Sequence, residues 1–253
     1  MRRAVGVFGL WVAVILLTGA VFLAGCGGGR LISQDQEVKL GREAGADFEK
    51  QYGGRDRDPR RNALATQIGS RIAQVASGAP YPPYPYEYRV LANKEVNANA
   101  FPGGLIYLWR GLYGAVNYDE QELAWVVGHE TTHVARQHSV RRMEKALGYD
   151  LLIQLVLGND TGGQIAAAIA NLSLQDYGRD QELEADAGGL RFAHDAGYDP
   201  TASLAVLEAF KKLQGKDPSK LELLFATHPG NTTREDAVRA TLSQEGWRGK
   251  YYP

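Results

Sequence analysis

Residues 126–138 read VVGHETTHVARQH, and this run constrains the fold more than any other part of the 253-residue chain. Its first two histidines stand four apart. On a helix His129 and His133 share one face and can hold a single ion. Zinc suits two imidazoles. Glu130 leaves from nearly the same edge, close enough to take a proton from a metal-activated water attacking an amide carbonyl. Upstream, Asp119 and Glu122 make a D-x-x-E capping pattern that predicts a helix start, and the helix is expected to run to about Leu147. An ordinary solvated polar face is the competing explanation. The apolar surroundings weigh against it, because unpaired His and Glu would be costly to bury there.

A catalytic zinc takes three protein ligands and keeps one position open. The segment RDQELEADAGG, 179–189, is the best source of the third. Glu182 and Asp186 are four apart and share a helical face. Glu182 could reach the metal, and Asp186 could accept a hydrogen bond from a ligand histidine and fix its tautomer. Glu184 is offset by two residues and should point elsewhere, with Asp180 on its side. An exposed acidic helix is the alternative for this segment.

The rest of the chain predicts a mainly helical α+β domain over 34–253. Ser33 with Gln36 resembles a capping box, followed by a polar, mostly exposed helix to about Tyr52. Residues 60–77 predict a second helix with Leu64, Ile68, Ile72 and Val75 on one face. Residues 86–92 alternate like a strand, 93–104 read as a loop, and 105–109 (LIYLW) form a second strand rich in β-formers. Leu105, Ile106 and Tyr107 are expected on an edge beside the cleft, where an extended substrate could pair backbone to backbone. DLLIQLVLG and GQIAAAIANLSL are too short to span a bilayer and read as core or cleft-covering helices. Further helices are expected over 179–196, from near Pro200, and after a loop at 225–236, with Asn231 or Thr232 as N-cap. His138 and His194 match no motif and are expected at the surface or in a supporting layer.

The first 25 residues stand apart. Arg2 and Arg3 precede an almost wholly apolar run that ends in LAGC, Leu23 to Cys26, and this pattern predicts a secretory signal. LAGC resembles the lipobox of bacterial lipoproteins, which implies cleavage before Cys26 and a lipid on its thiol; an uncleaved membrane helix is the alternative. Cys26 is the chain's one cysteine, so a lipidated chain cannot rely on disulfides. Residues 26–33 would form a flexible tether. Gly27 after the cysteine favours the outer membrane, by analogy with enterobacterial sorting. With 28 basic and 29 acidic residues, no basic face is forced, and nucleic acid is a poor candidate partner.

HETTH followed by E-x-x-A-D resembles the gluzincin metallopeptidases. Within them it is similar to peptidase family M48, which holds HtpX, the CAAX prenyl proteases and the envelope proteases of the BepA and LoiP type. NAFPGGLIYLWRGL at 99–112, ELEADAGG at 182–189 and THPGNTTR at 227–234 agree with family segments in the same order. The resemblance implies one zinc on His129, His133 and Glu182, with Glu130 as general base and a small sheet beside the HExxH helix. It implies that His228 approaches the metal and that Arg234 lies near the substrate; both could stabilise a developing oxyanion. No internal span and no C-terminal repeat domain are evident, so the chain resembles the compact lipoprotein type. The expected function is endopeptidase action on misfolded or unassembled envelope polypeptides. A zinc-containing chaperone-like or binding lipoprotein is the alternative, and a purely structural one the third.

Overall fold

The computed structural model describes residues 32–78, 80–156, 162–228 and 232–253. The expected signal peptide, Cys26 and most of the tether lie outside the described residues.

Helix α1 (Gln34–Gln51) is less exposed than its polar sequence predicts, because small residues hide its inner face. Gly41 sits against the Pro102 carbonyl and Gly45 against Leu105 and Tyr107, and Leu40, Ala44 and Phe48 are buried beside them. Helix α2 (Pro59–Ala76) starts where the Asp58 carboxylate accepts hydrogen bonds from the amides of Arg60 and Arg61. Pro59 fits the first helical position, where an N–H would be unpaired anyway. Ile68 and Ile72 are fully buried, with Leu64 and Val75 partly buried against the same core.

Strands β1 (Glu87–Leu91), β2 (Ala98–Ala100) and β3 (Leu105–Trp109) form one sheet in the order β1-β3-β2. β1 runs parallel to β3, and β2 antiparallel to it. This arrangement corrects two expectations. β2 lies inside the expected loop 93–104; three small residues are too few to show an alternating pattern. β3 is the central strand, with its backbone engaged on both sides and all five residues buried. Leu105, Ile106 and Tyr107 therefore offer no free edge to a substrate. Their apolar run marks a strand covered on both faces.

A short helix α3 (Arg110–Ala115) leads to α4 (Glu120–Ala135), whose N-terminus is capped by the Asp119 carboxylate, accepting from the amides of Gln121 and Glu122. α4 ends twelve residues before the expected Leu147. Arg136 caps it through its amide to Thr132 O and Val134 O, and Gln137 takes the left-handed conformation, φ 58°. No glycine or proline announces this break. Helix α5 (His138–Val156) follows, kinked at Gly148, then α6 (Gly162–Leu172). Ile165, Ala166, Ile169 and Ala170 of α6 are buried. No helix among the described residues is long and apolar enough to cross a membrane.

α7 (Arg179–Asp195) closes at Gly197, φ 82°. α8 (Ala202–Lys216), α9 (Glu222–Thr227) and α10 (Thr232–Gln244) complete the domain. The loop expected from residue 225 is shorter than foreseen, because α9 extends to Thr227; Asn231 lies outside the described residues.

Candidate metal centre

Three elements deliver the polar cluster. α4 brings His129, Glu130 and His133, α7 brings Glu182 and Asp186, and the residue ending α9 brings His228. His129 Nε2 and His133 Nε2 face each other at 3.1 Å. Glu182 Oε1 lies 3.4 Å from His133 Nε2, and its Oε2 lies 3.7 Å from His129 Nε2. His228 Nδ1 is 3.0 Å from Glu182 Oε1 and 3.4 Å from His129 Nε2. One ligand atom from each of the four residues falls within 4.8 Å of the others, and all four side chains are buried.

The far ends of the two α4 histidines are already engaged. His129 Nδ1 lies 3.0 Å from Asp186 Oδ1, and His133 Nδ1 lies 2.9 Å from His138 Nδ1. Their Nε2 atoms are left to face the common point, which is the arrangement a cation requires. Two imidazoles and a carboxylate fit zinc, with His228 near the remaining position.

Arg234, from α10, fixes the carboxylate layer. Its Nε donates to Asp186 Oδ2 at 2.8 Å and its Nη2 to Asp186 Oδ1 at 2.6 Å, while Nη1 lies 3.0 Å from Glu182 Oε2. Burial opposes ionisation of Asp186, yet Arg234 outweighs it and holds the carboxyl below its ordinary value. Burial opposes Glu182 too, but His228, His133 and His129 hold it well below the usual carboxylate range. For Glu130 burial wins and pushes the carboxyl up, despite His228 and His129 nearby. Burial depresses His133, which favours the neutral imidazole that can ligate. His228 is raised, because Glu182 and Glu130 outweigh its desolvation. Its Nε2 lies 3.3 Å from Glu130 Oε1 without hydrogen-bond alignment, and Glu130 Oε2 is buried with no partner among the described residues.

The structure thus brings His129, Glu130, His133, Glu182, Asp186, His228 and Arg234 together, and leaves Leu105, Ile106 and Tyr107 in the sheet interior. Glu184 points away from the cluster, to His138 and Arg136. His194 is half-exposed and stacks on Trp247, ring centroids 4.5 Å apart. Two residues were missed by the motifs. Of the two places expected for it, His138 takes the supporting layer rather than the surface, fully buried against His133. Tyr177 stacks on the His133 ring at 3.7 Å between centroids, with the Arg142 guanidinium 3.7 Å over the Tyr177 ring. The one sequence signal for His138 was a third histidine five residues beyond His133, a spacing that an unbroken helix would waste.

Beside the cluster opens a pocket of about 280 Å³. Leu112, Trp125, Val126, Leu207, Phe210 and Leu224 make its apolar wall, and His129, Glu130, His228 and Arg234 line one side. Asn97 and Ala98, at the start of β2, form part of its rim.

A family model described as Peptidase family M48 matches residues 59–242. Metalloprotease LoiP of Escherichia coli is 29% identical over 187 residues, covering 72% of this chain and 70% of that protein. Mitochondrial metalloendopeptidase OMA1 of Schizosaccharomyces pombe is 24% identical over 215 residues, 84% of this chain and 63% of that protein. The beta-barrel assembly-enhancing protease of Yersinia pestis is 27% identical over 236 residues, 87% of this chain and 46% of that protein. The chain therefore spans less than two thirds of the length of the last two.

Proposed function

Because the chain belongs to peptidase family M48, we propose that it is a zinc-dependent endopeptidase acting on unfolded or unassembled proteins of the bacterial cell envelope. The observation that carries the zinc-peptidase reading is the buried convergence of His129, His133, Glu182 and His228 next to a carboxylate oxygen, Glu130 Oε2, that has no partner among the described residues.

His129, His133 and Glu182 would hold the zinc. When bound, the ion supplies Lewis acidity that polarises a peptide carbonyl and makes water acidic enough to be a nucleophile near neutral pH. Glu130 accepts the water's proton on its unpartnered oxygen and passes it to the leaving amine. His228, beside Glu182 and Glu130, would donate to the oxyanion as it forms. Asp186 accepts from His129 Nδ1 and so presents Nε2 to the ion, while Arg234 holds Asp186 in place.

The apolar pocket receives a bulky apolar side chain next to the cleaved bond. An extended, apolar chain can offer such a side chain, which folded proteins keep buried. Export rests on the leader and its LAGC ending; we place the domain at residues 34–253, tethered through lipidated Cys26, facing the periplasm and held at the outer membrane. Purified full-length protein should cleave a reduced, unfolded polypeptide, stop with chelator and recover with zinc.

His228 also motivates a second reading. It sits within reach of both Glu182 and Glu130, so it could occupy the open ligand position and leave a zinc-containing binding lipoprotein. Zinc-loaded wild type and His228→Ala that both fail to cleave would favour that alternative; cleavage by wild type rejects it.

A further inference from the structure

His133 does not end its hydrogen bonding at one carboxylate, as His129 does. Its Nδ1 meets His138 Nδ1 at 2.9 Å, and His138 Nε2 meets Glu184 Oε2 at 3.0 Å. Glu184 in turn pairs with Arg136, Nε to Oε1 3.2 Å. His138 is fully buried, whereas the side chains of Glu184 and Arg136 are 38% and 39% exposed. A single row of polar groups therefore leads from the metal cluster to the surface.

An ion on His133 Nε2 leaves this row one arrangement. The remaining proton of His133 sits on Nδ1 and donates to His138 Nδ1, which must then be bare. His138 carries its proton on Nε2 and donates it to Glu184. The backbone is built for this contact. In a continuous helix a residue five places on lies about 140° around the axis from His133. The break at Gln137, φ 58°, turns the chain so that His138 folds back onto the His133 ring.

We propose that His138, with Glu184 behind it, is a positioning residue for the zinc ligand His133: it fixes the ring's orientation and tautomer, and thereby zinc affinity. The inference rests on the zinc site described above but does not depend on which substrate is cut. The two ligand histidines are oriented differently, one by a carboxylate directly and one through a neutral imidazole.

The test is zinc affinity of the full-length protein, by competition with a chromophoric chelator, for wild type, His138→Leu, His138→Asn and Glu184→Ala. Leucine removes the acceptor. Asparagine places a carbonyl oxygen near the position of Nδ1 but cannot reach Glu184. His138→Leu should weaken zinc binding by about 10–100-fold, and His138→Asn should regain most of it. Glu184→Ala should weaken binding less than His138→Leu, and should add nothing when combined with it, because both lie on one path. The visible spectrum of the cobalt-substituted protein should shift in His138→Leu and revert towards wild type in His138→Asn. If His138→Leu does not fold, Glu184→Ala decides by the same readout, and zinc affinity indistinguishable from wild type in it overturns the proposal. Zinc affinity within twofold of wild type in His138→Leu, or full additivity with Glu184→Ala, overturns the proposal. A wild type that binds no zinc overturns the underlying zinc assignment instead.

Discussion

Gly128 and Gly189 put the two ligand-bearing helices in backbone contact. A methyl carbon on Gly128 would stand 2.9 Å from the Gly189 carbonyl oxygen, and one on Gly189 would stand 2.9 Å from the His129 amide nitrogen. This closeness lets Glu182 on α7 reach the histidines of α4. Gly189→Ala must push the helices apart, since backbone cannot yield as a side-chain tip can. The expected loss is about 1–3 kcal/mol of stability in urea unfolding, together with weaker zinc binding. Unchanged zinc affinity in a destabilised variant would show that the contact serves packing alone.

Arg234 pairs with two buried carboxylates at once. In the metal-free protein Arg234→Ala leaves Asp186 and Glu182 without the guanidinium, and the expected destabilisation is about 3–5 kcal/mol. Lysine cannot span both carboxylates with a fork, so Arg234→Lys should recover less than half of that loss. Denaturant melts of the three proteins with chelator present measure it; a lysine variant as stable as wild type would contradict the bidentate role.

The pocket wall predicts cleavage preference. Peptides with Phe or Leu next to the cleaved bond should be cut tens of times faster than those with Gly, in keeping with the modest discrimination available to an apolar pocket. Leu207→Trp should narrow the pocket and shift preference towards smaller side chains. Mass spectrometry of a peptide mixture reads both, and identical profiles for the two enzymes would remove the pocket from substrate selection.

Asp56 supplies a pH-dependent part of stability away from the metal site. Its carboxylate accepts from Arg61 Nε at 3.1 Å, from Arg61 Nη2 at 3.0 Å and from the Asp58 amide at 2.7 Å. Burial opposes its ionisation, but these partners hold its pKa below the ordinary 3.8. A carboxyl depressed in the folded state stabilises above its unfolded pKa, and the benefit is lost as pH falls through the folded value. Asp56→Asn should therefore lower Tm at pH 7, at a loss of about 2 kcal/mol. The gap to wild type should shrink as pH drops below about 4. A gap independent of pH would assign the loss to packing.

The sequence was most informative where spacing carries chemistry. His129, His133, Glu182 and Asp186 followed from four-residue intervals on two helices, and the capping aspartate Asp119 announced where α4 begins. It was silent where tertiary contact overrides local signals. The break at Gln137 has no glycine or proline to mark it, so α4 looked longer and His138 could be given no specific contact. Half of the buried residues of α1 are Gly41, Ala44 and Gly45, which carry little hydrophobic signal although they allow the closest packing. β2 was invisible because three residues cannot establish a period, and its presence is what turns β3 from an edge into the centre of the sheet.

The proposed peptidase mechanism requires Glu130 as the proton carrier beside a bound zinc. Hydrolysis of an unfolded polypeptide by zinc-loaded wild type and Glu130→Gln, with zinc content measured in both, tests it most directly. The predicted result is one zinc per chain in each protein and a rate lower by about 10²–10⁴-fold in the variant. Full activity in a zinc-replete Glu130→Gln protein would contradict it.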